Sequence, residues 1–136
     1  MKVTRKTARE LAFLLVYEYL LKGDESPEEI YENVTEFPTL KNAPYTVDTF
    51  FGCVKNQERI NEVIKPCLVG WSEGRVSIVS RSIITVATYE MLFVEDVPYK
   101  VAINEALNLS KKYDTENAYS FVNGVLNAVA ESLSLK

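Results

Sequence analysis

Between Asp96 and Leu133 the apolar residues return at intervals that suit helices, and a single proline sets the register of the stretch. Pro98 fits a first helical turn because its φ is already fixed and its missing N–H would have had no partner inside the helix. From there Val101, Ala102, Glu105, Ala106 and Leu109 recur at helical spacing, with Lys100, Asn104, Asn108, Lys111 and Lys112 largely on the other face. The last two lysines fall near the helix C-terminus, where the macrodipole favours cations. A second helix is expected from Asp114 or Thr115, either of which can cap it, with Glu116 in its first turn. Phe121, Val122, Val125, Leu126, Val129 and Leu133 form its apolar stripe. Gly124 within that stripe costs about 1 kcal/mol against alanine, so it is expected to permit close helix packing and not to mark a break. The two helices are expected to pack as antiparallel neighbours.

The same periodicity extends over most of the chain. Residues 4 to 22 carry Ala8, Leu11, Ala12, Leu15, Tyr19 and Leu20 on one side, and Gly23 suits a C-terminal cap. Ser26 and Pro27 precede Glu28 and Glu29 as a capping box for a helix over 27 to 36 that turns Ile30 and Val34 inward. A loop with Pro38, Asn42 and Pro44 follows. One helix is then expected from Val47 to Lys65, ending at Pro66, and Gly70, Trp71 and Gly74 mark a short connection. Another begins at Val76 and stops before Pro98, through Val79, Ile83, Val86, Ala87 and Met91. The expectation is an all-α single domain of about seven helices, arranged as two packed helical subdomains with their boundary near residues 66 to 75.

Several function classes are disfavoured. The chain has no histidine, so Ser/His and Cys/His nucleophile arrangements and mixed zinc sites cannot exist. Neither a Walker loop nor a GxGxxG cradle is present. Most of the 19 carboxylates fall where helix surfaces and first turns put them. Cys53 and Cys67 form neither a CxxC pair nor a disulfide framework and read as reduced core or surface residues. No catalytic, metal or cofactor site is expected. No apolar run approaches the roughly 18 residues that span a bilayer, and the N-terminus lacks a signal-peptide pattern, so the expected location is the cytoplasm.

Charge is segregated. The chain has 15 Lys and Arg against 19 Asp and Glu, a net −4. Lys2, Arg5, Lys6 and Arg9 all precede the first acid, Glu10, so the first nine residues carry +4 and the remaining 11 bases and 19 acids carry −8. Arg5 and Arg9 share a helical face at i, i+4. A positive arm on an acidic body suits polyanion binding at one place, while a solvated helix end is the plainer reading. Single-stranded RNA is commonly bound by cations on phosphates and by stacking on aromatic rings. Tyr17 extends the strip beyond Arg9, and Phe121 begins the last helix with Tyr113 and Tyr119 nearby; for each of these rings, burial in the core is the alternative.

These residues resemble a known family. Arg5-Lys6-Thr7-Ala8-Arg9-Glu10 with Tyr17, then Lys65-Pro66, Tyr89-Glu90, and above all residues 97 to 126 are similar to the NusB transcription antitermination family, most weakly between 24 and 46. The resemblance implies an all-helical fold of two three-helix-like bundles. It also implies binding of boxA RNA together with the ribosomal small-subunit protein NusE, within an RNA polymerase antitermination complex acting on ribosomal RNA operons. Carried over, it implies phosphate contacts at Lys2, Arg5, Lys6 and Arg9, base contacts at Tyr17 and Phe121, and hydrogen bonds from Asn117 and Ser120. Arg81 and Glu90 would face NusE. Some relatives dimerise over the RNA surface, which leaves a homodimer open.

The chain departs from the family pattern at Thr7, where some relatives have arginine, at Cys67, where an aromatic is familiar, and at Ser80, where an acid can occur. The first two departures imply weaker RNA binding by the chain alone. Two other readings stand beside this one: a protein-only helical interaction module, and a detached NusB-like RNA-binding domain of an RNA methyltransferase.

Overall fold

The computed structural model describes residues 3–34, 43–68, 70 and 76–136. Among them are seven α-helices: α1 (Arg5–Lys22), α2 (Pro27–Val34), α3 (Pro44–Lys55), α4 (Gln57–Ile64), α5 (Ile78–Phe93), α6 (Tyr99–Tyr113) and α7 (Glu116–Ser132), with a 3₁₀ turn at Lys65–Leu68. Pro38, Asn42, Trp71 and Gly74 lie outside the described residues, as does most of the expected subdomain boundary.

Local chemistry accounts for the helix ends. Thr4 caps α1 by accepting the Thr7 N–H at 3.1 Å, and Gly23 closes it at φ 75° with its N–H on the Tyr19 carbonyl. Ser26 accepts the Glu29 N–H at 3.2 Å, one half of the expected capping box. Pro44 opens α3 three residues earlier than the apolar spacing suggests, occupying the start position proline favours. The long helix expected from 47 to 65 is broken at Asn56. Its φ of −104° and ψ of 18° leave the helical range, and its side-chain amide donates to the Gly52 carbonyl at 2.8 Å, competing with the backbone ladder. Pro66 sits within the 3₁₀ turn and does not simply end a helix. At α5 the cap is Ser77, which accepts the Ser80 N–H at 3.0 Å, so the helix starts at Ile78 and not at Val76. Pro98 is the N-cap of α6, one residue before the first turn. Thr115 is the N-cap of α7, and the Asp114 carboxylate accepts its N–H at 2.9 Å.

Helix α5 is the axis of the molecule, packing on α1, α3, α4, α6 and α7. Ile83, Ile84, Val86 and Ala87 meet Phe13, Leu15 and Val16 of α1, Phe50 and Cys53 of α3, and Val122, Val125, Leu126 and Val129 of α7 in one buried cluster. Each large side chain fully buried there stabilises the fold by about 1.5–3 kcal/mol. In α6, Ala102, Ala106 and Leu109 are buried as expected and Ile103 joins them, while Val101, expected inside, is 43% exposed. Gly124 leaves α7 unbroken but faces open space, so the expected close packing at this position is absent. Close approach occurs instead at Gly52, where a Cβ would overlap the Tyr89 ring. Cys53 is buried and Cys67 partly exposed, both as free thiols. Among the described residues no helix is long and apolar enough to cross a membrane.

Candidate nucleic-acid interface

The basic start of the chain divides as soon as it becomes helical. Arg9 turns inward, 4% exposed, and its Nε donates to both oxygens of Glu90 at 3.0 and 2.9 Å. A terminal guanidinium nitrogen reaches Glu105 at 3.3 Å, and the Tyr45 hydroxyl donates to Glu90 as well. Glu90 has no exposed surface. Burial pushes its carboxyl up, and Arg9, Tyr45 and Arg5 offset only part of that rise. Burial, then the hydrogen bond to Glu90 and its charge, drive the Tyr45 phenol far above its ordinary range. Two expectations are thereby corrected. Arg9 is a structural anchor and not a phosphate contact, because it is buried and its Nε is committed to the Glu90 carboxylate, which would be left unpaired without it. Glu90 is its counter-ion and cannot touch a partner. It also lies nine residues after Arg81 on α5, about 180° round the helix, so the two share no face.

Arg5 and Lys6 remain outside. Arg5 is stacked over the Tyr45 ring at 4.4 Å and paired with Asp96 at 3.1 Å, with its side chain half exposed. Lys6 is exposed, and Lys2 lies outside the described residues. At about 100° per residue, Lys6, Glu10 and Tyr17 fall within about 40° of one another. Tyr17, partly exposed, therefore continues the Lys6 face and not the Arg9 face.

That face borders the corner between α6 and α7. Glu10 accepts from Lys112 Nζ at 2.6 Å and from the Tyr113 hydroxyl. Burial pushes the Glu10 carboxyl up, but these two hydrogen bonds and the charges of Lys112 and Lys6 outweigh it and hold the group below its ordinary value. The Lys112 ammonium lies 5.4 Å above the Tyr113 ring, and Lys111 lies 5.2 Å above Tyr119. Around the start of α7, a depression of about 230 Å³ is lined by residues that include Ser77, Ser80, Asp114, Thr115, Asn117 and Phe121. A more open one of about 510 Å³ is lined by Lys111, Asp114, Thr115, Glu116 and Tyr119. Asn117 and Ser120 are exposed. Phe121 is 8% exposed and its ring is a wall of the depression, a position that suits an apolar contact better than stacking.

The structure thus brings Lys6, Tyr17, Asn117, Ser120 and the edge of Phe121 to the region of α1 and the α6–α7 corner. It adds Lys111, Lys112, Tyr113 and Tyr119, which the sequence marked only as a helix end and nearby aromatics. Their meeting with α1 is signalled by nothing local, since Glu10 and Lys112 stand 102 residues apart. Arg81 is exposed elsewhere, beside a cavity of about 270 Å³ whose lining includes Asn61, Ile64, Lys65, Leu68, Val76 and Ile84. Among the described residues no group of three or more potential ligands could hold a metal.

Helix order and packing define the class: among the described residues, an all-α bundle of seven helices wrapped on a central α5. A T. maritima NusB structure superposes with a TM-score of 0.86 at 35% identity, covering 96% of this chain and 93% of that one. A chain from the crystal structure of antitermination factors NusB and NusE in complex with dsRNA superposes at 0.83 and 30%, covering 94% and 96%. The chain belongs to the NusB family, whose model matches residues 6–131. The transcription antitermination protein NusB of Acetivibrio thermocellus is 37% identical over 128 residues, 93% of this chain and 88% of that protein.

Proposed function

We propose that this antitermination factor is a cytoplasmic, non-enzymatic adaptor. It binds single-stranded boxA-type RNA together with NusE, and it promotes processive transcription of ribosomal RNA operons as part of an RNA polymerase antitermination complex. The observation that carries the reading is the likeness, over nearly the whole chain, to a protein solved with NusE and RNA. The exposed cations and rings at α1 and the α6–α7 corner support it: Arg5, Lys6 and Lys111 for phosphates, Tyr17 and Tyr119 for bases, Asn117 and Ser120 for hydrogen bonds. Arg81, beside its cavity on α5, is assigned to NusE.

About three phosphate contacts give a salt slope near −2, at roughly −0.7 per contact for single strands. Fluorescence anisotropy with a boxA-type and a scrambled RNA, with and without NusE, at two salt concentrations, tests the reading. Preference for boxA that strengthens with NusE is the expected outcome, because linkage requires RNA and NusE to tighten each other equally. Equal, weak, salt-sensitive binding to both RNAs would instead favour a protein-only module. One observation leans that way: Arg9 is consumed internally, which removes one of the four basic residues of the arm.

A further inference from the structure

Where α1 meets α6, an anion is already bound. One oxygen of Glu10 accepts both the Lys112 ammonium at 2.6 Å and the Tyr113 hydroxyl. Tyr113 is backed by the Phe13 ring at 5.1 Å, while the Lys112 side chain stays 60% exposed. A cation and a phenol converging on one oxygen is also a donor set suited to a phosphodiester oxygen. We propose that Glu10 sets the affinity of this surface: its carboxylate occupies, as an intramolecular stand-in, the anion site that Lys112 and Tyr113 would otherwise offer to an RNA phosphate.

The inference rests on the RNA-binding reading above and names a regulatory residue of the same surface. Glu10 differs from Glu90 in what its removal costs the fold. Glu90 neutralises a buried guanidinium, whereas the partner of Glu10 is largely solvated and loses little when released. A phosphate approaching Lys112 must displace the carboxylate or bear its repulsion, and either lowers affinity. Lys6, whose charge also acts on Glu10, adds to the positive potential at the same place. A weak free state suits an adaptor whose partner contributes further contacts, since the partner's contribution then decides occupancy.

Glu10→Gln keeps the shape and an accepting oxygen while removing the charge. Titrated with the boxA-type and scrambled RNAs, it is expected to bind about two- to five-fold more tightly than the parent chain. Its salt slope should steepen by about 0.7, one recovered phosphate contact. In a Lys112→Ala background the gain should vanish. Tyr113→Phe should weaken binding only when combined with Glu10→Gln, because in the parent chain that hydroxyl is committed to the carboxylate. Unchanged or weaker binding by Glu10→Gln, or a gain that survives Lys112→Ala, overturns the proposal, as does the absence of binding by every variant. Equal affinity for the two RNAs with the Glu10→Gln gain intact would sink the boxA reading and leave the stand-in standing.

Discussion

Arg9 and Glu10 are neighbours in sequence and opposites in fate. Their side chains leave α1 about 100° apart, and that rotation sends one into a closed network with Glu90, Glu105 and Tyr45 and the other onto a solvated corner with Lys112 and Tyr113. Both are ion pairs to residues far along the chain. The inner one satisfies charges that water cannot reach; the outer one is an arrangement that an arriving anion can rearrange. Formal charge therefore says little about role here, and burial decides it.

The contrast breaks most directly at Glu90. Replacing it with alanine leaves the buried Arg9 guanidinium with only the partly exposed Glu105, and a loss of about 3–5 kcal/mol is expected in urea unfolding. The combined Arg9→Met, Glu90→Leu variant should recover most of that loss. A single-variant loss as small as that of a surface pair would show that the network is not an anchor. Tyr45→Phe removes one hydrogen bond to the buried carboxylate and should cost about 1.5–3 kcal/mol, read from the same unfolding midpoint. Lys112→Ala, which removes a largely solvated pair, should move the midpoint by at most about 1 kcal/mol; a drop as large as that of Glu90→Ala in the same urea titration would erase the division between the two pairs.

The smallest expected effect lies in pH. Glu10 is held below its ordinary value, so its pairing stabilises the fold above the usual carboxylate range and is lost as pH falls through its lower folded value. The midpoint difference between the parent chain and Glu10→Gln should hold steady above about pH 5 and shift in favour of the variant toward about pH 3. A flat difference across that range would mean that the pair contributes nothing to the folded state.

Periodicity made most of the helices legible, and it failed where a polar side chain bonds its own backbone. Asn56 splits an apolar pattern that runs through it without a gap, because the competing bond to Gly52 is invisible to hydrophobic spacing. The glycine reading failed for a related reason. Gly52 and Gly124 both lie in helices, and only the tertiary approach of Tyr89 tells the crowded one from the open one. At the candidate surface the cations were legible as a cluster, but which of them point outward was not. Arg5 and Arg9 share a face, and that face passes from half exposed to closed within one turn as α5 and α6 cover it. Lys111 and Lys112 looked like ordinary helix-end lysines until α6 was laid beside α1.

The inner network also has a timetable. Arg9 finds Glu90 after 81 residues and Glu105 after 96, so during synthesis the first helix emerges with a charge that has no counterpart until the fifth and sixth follow. Long-range closure of this kind is slow, because the loop entropy is spent before the contacts form. Arg9 is thus made well before either carboxylate that withdraws it, and a nascent chain stopped before α5 lacks both.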